Sequence, residues 1–305
     1  MFFIRADQVE EEAKEEEEEE GEGEGEGEEE EEEEGEGEED LEEGTMLQET
    51  EQKPKVTKQK SKEAEQEEDS DEETEGPPAV NVGLLNVRSI KRDQRKRLRI
   101  KEIITDKELD VFLTTETWLV NNTADEALRE ASPPNFTFYH KCRMGQTGGG
   151  VAIQFSPELR GQRIYFPSRA SFEYVAAALK HKNWYEEVLF ISVYRPPGSK
   201  SAEFKDFILD FDLLLDMASS DYNRIIVAGD FNIHVEKTRT LRTSLFDKSY
   251  IIDFEQHVED PTHESGGILD LVLSKNVKVS DVRVRDDEIS DHKTIYFRVR
   301  PTLPG

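Results

Sequence analysis

Six short motifs place carboxylates, amides and one histidine where predicted strands end. They are Asn86, Thr115-Glu116-Thr117-Trp118, Tyr194-Arg195-Pro196-Pro197, Gly229-Asp230-Phe231-Asn232, Asp270 inside the apolar run 268–273, and Ser290-Asp291-His292. Loops at strand ends carry functional groups on a rigid scaffold, so we expect these side chains to converge at one edge of a sheet. Oxygen-rich groups suit a hard divalent cation such as Mg²⁺. The chemistry indicated is phosphodiester hydrolysis, with a metal as Lewis acid and a carboxylate or histidine handling the proton.

Each motif also has an ordinary structural explanation when it is taken alone. Asp270 is as readily a buried acid with satisfied hydrogen bonds as a functional group. The motifs at 229–232 and 290–292 could be simple turns, and Tyr194 could belong to the core or its rim. The histidines expected to be ordinary surface or loop residues are His234, His257 and His263. The ordered series of all six motifs is what chance does not readily produce.

The elements that must position these groups alternate between strands and helices. Strands are predicted at 80–87, 110–116, 151–155, 173–180, 188–194, 224–228, 269–273, 282–284 and 294–299. Amphipathic helices are predicted at 92–107 and 203–219. Many strands with few helices favour two packed β-sheets flanked by helices over a doubly wound sheet. The glycines at 148–150 predict a hairpin turn, because no helix follows them to form a phosphate cradle.

Charge divides the chain into two parts. The 305 residues carry a net charge of −31, of which residues 1–77 contribute −30 and residues 78–305 only −1. Like-charge repulsion and the lack of apolar residues predict that 1–77 is a disordered, Glu/Gly-rich, low-complexity acidic tail. Residues 78–305 are expected to form one domain. The total charge excludes a simple basic nucleic-acid-binding protein, but it allows a body with a locally basic face.

The sequence argues against a disulfide, a cysteine-based zinc site and secretion. Cys142 is the only cysteine, which excludes an intramolecular disulfide and a cysteine-based zinc site within this chain. No apolar run approaches the roughly 18 residues that span a bilayer. The apolar start at 1–4 is too short for a signal peptide. We expect a non-secreted monomer with no membrane association.

Taken together, and with Pro261-Thr262-His263 added, the motifs resemble the endonuclease/exonuclease/phosphatase superfamily over residues 80–300. Within it the sequence is most similar to the endonuclease domains of LINE-type non-LTR retrotransposons. The segments that carry this similarity are Asn86-Val87-Arg88-Ser89, Glu116-Thr117-Trp118-Leu119, 148–153, 193–197 and 269–274. The resemblance implies a four-layered α/β sandwich, two packed mixed β-sheets flanked by helices. It also implies a DNA-nicking hydrolase that uses Mg²⁺, or Mn²⁺ in its place.

The resemblance further implies roles for individual residues. The metal would be held by Glu116, Asn86 and Asp291. Asp230 would position or deprotonate the attacking water, and Asn232 would orient that water. Asp270 would fix the orientation of His292, which would bind or protonate the phosphate, and Tyr194 would contact the phosphate or the leaving group. The residues expected to contact phosphate, DNA or nearby backbone are Thr262, Ser290, Arg195 and Arg88. Whether Asp230 or His292 is the general base stays open.

Two departures from the AP endonucleases of this superfamily bear on the substrate. Those enzymes have an acid two residues after the first-strand Asn, where this chain has Arg88 as in the retrotransposon branch. They also carry a Trp shortly before the Asp that corresponds to Asp270. This chain has Ser265-Gly266-Gly267-Ile268 there, so an abasic-site pocket is not expected. The printed chain ends 13 residues after His292. We therefore expect no reverse transcriptase, in either a retrotransposon-derived host protein or a fragment of an element.

Seven cations lie within residues 91–101: Lys91, Arg92, Arg95, Lys96, Arg97, Arg99 and Lys101. They could follow DNA phosphates beside Asn86 or form a solvated helix face. The acidic tail could compete with DNA for this surface, or bind basic proteins such as histones. Nuclear localisation is expected from the substrate and from the lysines at 53–62.

Two other functions remain open at this level. One is a different phosphodiesterase or phosphatase of the same superfamily, acting on a phospholipid or an inositol phosphate. The other is a non-catalytic chromatin interaction protein that acts through its acidic tail. Turnover of small phosphoesters would favour the first of these. Histone binding by the tail beside an inert body would favour the second.

Overall fold

A computed structural model describes residues 76–145, 147–198, 201–233 and 253–302. The acidic tail predicted at 1–77 lies outside these residues, apart from its last two, and so does His234. The helices among the described residues include none that is long and apolar enough to span a membrane.

Twelve strands and three helices make up the described chain. The strands are β1 (Val80–Asn86), β2 (Val111–Thr115), β3 (Thr137–Lys141), β4 (Val151–Phe155), β5 (Leu159–Ile164), β6 (Glu173–His181), β7 (Val188–Tyr194), β8 (Ile225–Asp230), β9 (Glu255–Gln256), β10 (Asp270–Lys275), β11 (Val277–Arg285) and β12 (Thr294–Pro301). The helices are α1 (Gln94–Asp106), α2 (Asn121–Glu130) and α3 (Ser201–Asp221).

The strands form two six-stranded mixed sheets of the same design. The first has the order β11-β12-β1-β2-β4-β3 and the second β5-β6-β7-β8-β10-β9. In each sheet the two central strands are parallel, β1 with β2 and β7 with β8, and antiparallel strands flank them. A helix joins each central pair, α1 in the first sheet and α3 in the second. Parallel strands require such a crossover connection.

Three apolar clusters fix the order of layers. Between the sheets, Val82 and Leu84 of β1 pack in one cluster with Phe190 of β7 and Ala228 of β8. The outer face of the first sheet packs against α1 and α2, and the outer face of the second packs against α3. Because the central strands are buried on both faces, they read as nearly continuous apolar runs. The structure confirms the expected two packed mixed sheets flanked by helices.

The structure contains four elements that the sequence pattern did not indicate: α2, β3, β5 and β9. Helix α2 has no side-chain N-cap bond and buries mainly two alanines and one leucine, so few large apolar side chains mark it in the sequence. Strands β3 and β5 are mostly half-exposed, with polar residues on both faces. The expected hairpin turn at 148–150 is confirmed, since β3 and β4 pair as antiparallel neighbours on either side of it.

Gly229 occupies a position in β8 where the backbone of β7 comes unusually close. A Cβ added there would overlap the carbonyl group of Val193 and stand 2.8 Å from its amide nitrogen. Glycine in a strand interior often marks such a close backbone approach.

We expect Gly229→Ala to destabilise the fold by about 3 kcal/mol or more, because backbone atoms cannot yield as a side chain can. The melting temperature of the full chain should then fall by about 6–12 °C. Gly198→Ala is the matched control, because the added methyl meets only the ends of two long side chains, the carboxylate of Glu203 and, at 3.4 Å, Nη2 of Arg195. Equal melting temperatures for the two variants would contradict this account.

Candidate active site

Asn86 joins the two sheets at the edge where the central strands end. Its Nδ2 donates to Oδ2 of Asp230 at 2.8 Å and to Oε1 of Glu116 at 3.1 Å. Its Oδ1 accepts the backbone N–H of Arg88 at 3.0 Å. The orientation of this buried amide is therefore fixed, since only its nitrogen can donate to both carboxylates. The expected convergence of the strand-end motifs is present.

The Glu116 carboxylate is held by donors from three directions. Besides Asn86, the indole Nε1 of Trp118 donates to Oε2 at 3.1 Å, and the Tyr194 hydroxyl hydrogen-bonds to the carboxylate. Burial, and then the charge of Glu116, raise the pKa of Tyr194 well above its ordinary value, so this hydroxyl stays protonated. Glu116 has a φ of 50°, in the left-handed region. Such strain, about 1–3 kcal/mol, persists only where surrounding contacts impose it.

Asp270 and His292 form a buried pair beside Asp230. His292 Nδ1 lies 2.7 Å from Oδ2 of Asp270, and its Nε2 lies 4.0 Å from Oδ2 of Asp230. Asp270 is the first residue of β10 and faces Asp230 directly in the antiparallel register with β8. Thr262 Oγ1 accepts the backbone N–H groups of Leu269 and Asp270, at 3.0 and 3.1 Å. Thr262 thus sets the start of β10, in keeping with the backbone contacts expected of it.

The protonation states in this cluster follow from burial and neighbouring charges. Burial works to lower the pKa of His292, but the carboxylates of Asp270, Asp230 and Asp291 outweigh it and raise the pKa to about 9. His292 is therefore an imidazolium at neutral pH, with Nδ1–H donated to Asp270 and Nε2–H directed at the site. Burial, and then the neighbouring Asp270, raise the pKa of Asp230 above its ordinary range.

Asn232 and Arg195 shape the turn that follows β8. The Asn232 backbone N–H donates to Oδ1 of Asp230 at 2.9 Å, and its Nδ2 donates to Oδ2 at 3.1 Å and to the Arg195 carbonyl at 2.8 Å. The Arg195 guanidinium is buried and donates to the carbonyls of Phe231 and Asn232. The structure thus gives Arg195 backbone partners inside the fold, and its expected contact with phosphate or DNA stays a prediction.

Asp291 lies beside the site with two basic partners. The Arg88 guanidinium pairs with Oδ2 of Asp291, and Nε2 of His263 lies 3.4 Å from the same oxygen. Ser290 Oγ donates to the Asn86 carbonyl at 2.6 Å and accepts the N–H of His292 at 3.1 Å. Ser290 therefore ties the end of β1 to the histidine loop, and Arg88 neutralises an expected metal ligand.

His263 is the residue that sequence reasoning placed wrongly, as an ordinary loop histidine. Its ring meets that of His292 edge to face, with centroids 4.7 Å apart. The two residues also form an antiparallel bridge. Its position next to Thr262 in the motif Pro261-Thr262-His263 is the sequence signal that could have placed His263 near the site.

The donor set fits a divalent cation. Two carboxylate oxygens, Oδ1 of Asp270 and Oδ1 of Asp291, are buried with no hydrogen-bond partner within the described ranges. Carboxylate oxygens of Asp230 and Asp270 lie within 4.8 Å of each other. A group of buried carboxylates with unsatisfied oxygens favours a hard cation that prefers oxygen ligands. Glu116 belongs to the same site through the Asn86 amide.

One protein-family match covers the part of the chain that contains the site. The family model described as "Endonuclease/Exonuclease/phosphatase family" matches residues 83–292, which include every expected site residue. No curated protein sequence matches the chain.

Three solved structures illustrate what this chain is similar to. The human Nocturnin catalytic domain with bound sulfate is 14% identical, with a TM-score of 0.57 over 73% of this chain and 94% of that one. A mannosyl-6-phosphatase from Bacteroides thetaiotaomicron is 14% identical, with a TM-score of 0.55 over 72% and 99%. The 3′ phosphatase NExo from Neisseria, bound to a product DNA hairpin, is 17% identical, with a TM-score of 0.53 over 72% and 98%. At these identities the likeness shows the fold.

The Asp270–His292 pair makes the stability of the fold depend on pH. Because the folded-state pKa of His292 is raised, the pair stabilises the fold fully below about pH 6.5, the unfolded value. That contribution is lost as the pH rises through about 9, the folded value. Asp270→Asn removes the carboxylate charge that contributes most to raising the pKa of His292, so burial then lowers that pKa.

We expect an NMR titration of the full chain in EDTA to show His292 titrating near 9 in the wild type and at least one unit lower in Asp270→Asn. Asp291→Asn is the control and should give a smaller fall, because Asp291 is the weakest contributor. An unchanged titration in Asp270→Asn would contradict the pairing.

Proposed function

Since the chain belongs to the endonuclease/exonuclease/phosphatase family, whose members are hydrolases acting on phosphoester bonds, we propose that it is a Mg²⁺-dependent DNA endonuclease. The observation that carries the proposal is the buried Asp270–His292 pair facing Asp230 and joined through Asn86 to Glu116. This arrangement offers a proton acceptor, a proton donor and an oxygen-rich cation site within one small volume. The reaction proposed is in-line attack of water on a phosphodiester, which leaves a nick and forms no covalent intermediate with the protein.

Asp230 is suited to accept the proton of the attacking water. Its raised pKa brings its basicity towards neutral pH, where general bases are most effective. Asn232, bonded to both oxygens of Asp230, would orient that water. The water oxygen would bond to phosphorus as the bond from phosphorus to the leaving sugar oxygen breaks, and that sugar oxygen would take a proton from a solvent water to leave as a hydroxyl.

His292 is suited to the opposite role. As an imidazolium it would donate Nε2–H to an oxygen of the scissile phosphate and stabilise the negative charge that develops there. Asp270 holds the ring in the orientation that makes Nε2 available. Tyr194, kept protonated, could donate a hydrogen bond at the same edge.

Glu116, Asn86 and Asp291 are the residues we propose to hold the cation. When bound, a divalent ion would supply Lewis-acid stabilisation of the phosphate. The carboxylate and amide oxygens favour Mg²⁺, with Mn²⁺ as the alternative.

A basic surface beside the site supports DNA as the substrate. A shallow, open depression of about 580 Å³ is lined by Arg88, Ser89, Arg92, Asp93, Gln94, Arg95 and Lys96. Of the seven clustered cations, Lys96 and Arg97 are engaged by backbone carbonyls, and Arg97 also by Glu130. Arg92 and Arg95 are exposed to solvent. A surface of this kind can follow the phosphates of a polymer, whereas a small phosphoester would not use it.

The finer elements of the proposal rest on the motifs and on the substrate. LINE-type ancestry is supported by the retrotransposon-like segments, and nuclear localisation by the substrate. Action on a small phosphoester is the second candidate, and similar structures such as the mannosyl-6-phosphatase favour keeping it. A monomeric state, histone binding by the acidic tail and a non-catalytic chromatin role stay predictions.

The direct test is nicking of supercoiled plasmid by the full chain, with Mg²⁺ or with EDTA. We expect nicking with Mg²⁺ only, and at least about 100-fold slower nicking by Asp230→Asn and by His292→Gln. His257→Gln is the matched control, because His257 bonds to Ser274 further along β10. Undiminished nicking by both site variants would refute the assignment. A folded chain that hydrolyses small phosphoesters but not DNA would establish the second candidate.

The salt dependence of DNA affinity tests the role of this basic surface. The double variant Arg92→Gln with Arg95→Gln should bind duplex DNA more weakly. The slope of log affinity against log salt concentration should be smaller in magnitude by up to about 2. This corresponds to about 0.9 for each DNA phosphate that the variant no longer neutralises. Lys180→Gln with Lys182→Gln is the matched control, placed at the end of β6 that is remote from the site. Equal slopes for the two double variants would show that Arg92 and Arg95 form only a solvated face.

A further inference from the structure

Trp118 presents a large aromatic ring at the mouth of the site. The chain has two tryptophans, and Trp184 is only 3% exposed whereas Trp118 is 37% exposed. The Trp118 ring is anchored, because its Nε1 donates to Glu116 and its backbone N–H donates to the Gly149 carbonyl at 2.8 Å. Its φ of 53° lies in the left-handed region. A strained backbone therefore holds an aromatic face in solvent next to an expected metal ligand.

The glycine turn at 148–150 leaves a notch beside this ring. All three glycines have left-handed φ values, between 65° and 89°. A Cβ added at Gly148 would meet nothing nearer than 3.8 Å, and its closest neighbours would be Nη1 of Arg143 and Nε1 of Trp118. A single added carbon at Gly148 would thus be in van der Waals contact with both a guanidinium and an indole.

Arg143 is fixed in this notch with hydrogen-bonding capacity to spare. Its Nε pairs with Glu173, whose other oxygen accepts the N–H of Gly150. Its guanidinium carbon lies 5.5 Å from the centre of the Tyr194 ring. Its Nη2 is buried with no hydrogen-bond partner in the part of the chain that the structure describes. Glu173 therefore orients the guanidinium, and Nη1, which lies nearest to Gly148, is the donor placed to meet a ligand.

We propose that this notch is a nucleotide-binding subsite, in which a nucleobase of a DNA strand stacks on Trp118 and the adjoining phosphate binds Arg143. The proposal rests on the proposed function and names the part of the substrate that this wall of the site would contact. An exposed aromatic face beside an oriented guanidinium is the combination that binds single-stranded nucleic acid without sequence preference. A sugar phosphate has no base to stack, so the subsite favours nucleic acid over small phosphoesters.

Tryptophan fluorescence tests the subsite without requiring cleavage. In the full chain carrying Trp184→Phe, Trp118 is the only tryptophan. In EDTA, a 15-residue oligothymidylate should quench its emission. Neither an abasic oligomer of equal length and charge nor inorganic phosphate should quench the Trp118 emission. Equal quenching by the oligothymidylate and the abasic oligomer would overturn the proposal, because the base would then contribute nothing.

Fluorescence anisotropy of a labelled oligothymidylate measures its binding. It distinguishes stacking on the Trp118 ring from the hydrogen bond that Trp118 Nε1 donates to Glu116. Trp118→Ala should weaken binding about tenfold or more, whereas Trp118→Phe should retain most of the affinity because it keeps the ring and loses only the N–H. Arg143→Gln should also bind more weakly, with Lys182→Ala as the unaffected control. Wild-type affinity in Trp118→Ala would overturn the proposal.

The two proposals fail in different ways. Base-dependent quenching by a chain that cleaves no DNA would refute the endonuclease and leave the subsite standing. Nicking without base-dependent quenching would refute the subsite alone.

Discussion

The whole site depends on keeping several carboxylates close together and away from water. Asp230 is fully buried and Asp270 nearly so, and they face each other across adjacent strands. Buried charges are tolerated only when donors satisfy them. The Asn86 amide serves Asp230 and Glu116 at once, and the His292 imidazolium serves Asp270. The negative charge that remains is what the proposed cation would neutralise.

The two similar sheets bring these groups together. Each has a parallel central pair joined by a helix, so both sheets end their central strands at one edge. Tyr194, Asp230 and Asp270 are register neighbours across β7, β8 and β10. The close approach of β7 and β8 at Gly229 comes one residue before Asp230. Packing inside the sandwich therefore sets the position of the chemical groups at its rim.

Backbone strain is concentrated at the same rim. Ten non-glycine residues in the described ranges have left-handed φ values, and five of them lie in the site loops: Arg88, Ser89, Glu116, Trp118 and Asn232. These loops hold one another in place. The Ser89 N–H donates to the Glu116 carbonyl at 2.7 Å, and Trp118 bonds to the glycine turn. A site whose donors and acceptors are held before substrate arrives needs little rearrangement during the reaction, which is how preorganised polar groups lower a barrier. The same loops carry the proposed nucleotide subsite, so the proposed substrate contacts and the proposed metal ligands share one framework.

The sequence by itself determined the sandwich class, nearly every central strand and the motifs that end them, because apolar periodicity and turn residues are local properties. It also indicated phosphoester chemistry, since that follows from residue types. It did not show that Arg195 turns inward to backbone carbonyls, that His263 meets His292, or that Arg143 lies on Tyr194. Asn86 and Asp230 are 144 residues apart, and Asn86 and His292 are 206 apart. Only tertiary structure decides such pairs, because a side chain's partner depends on how two sheets pack and on which loops that packing brings into contact.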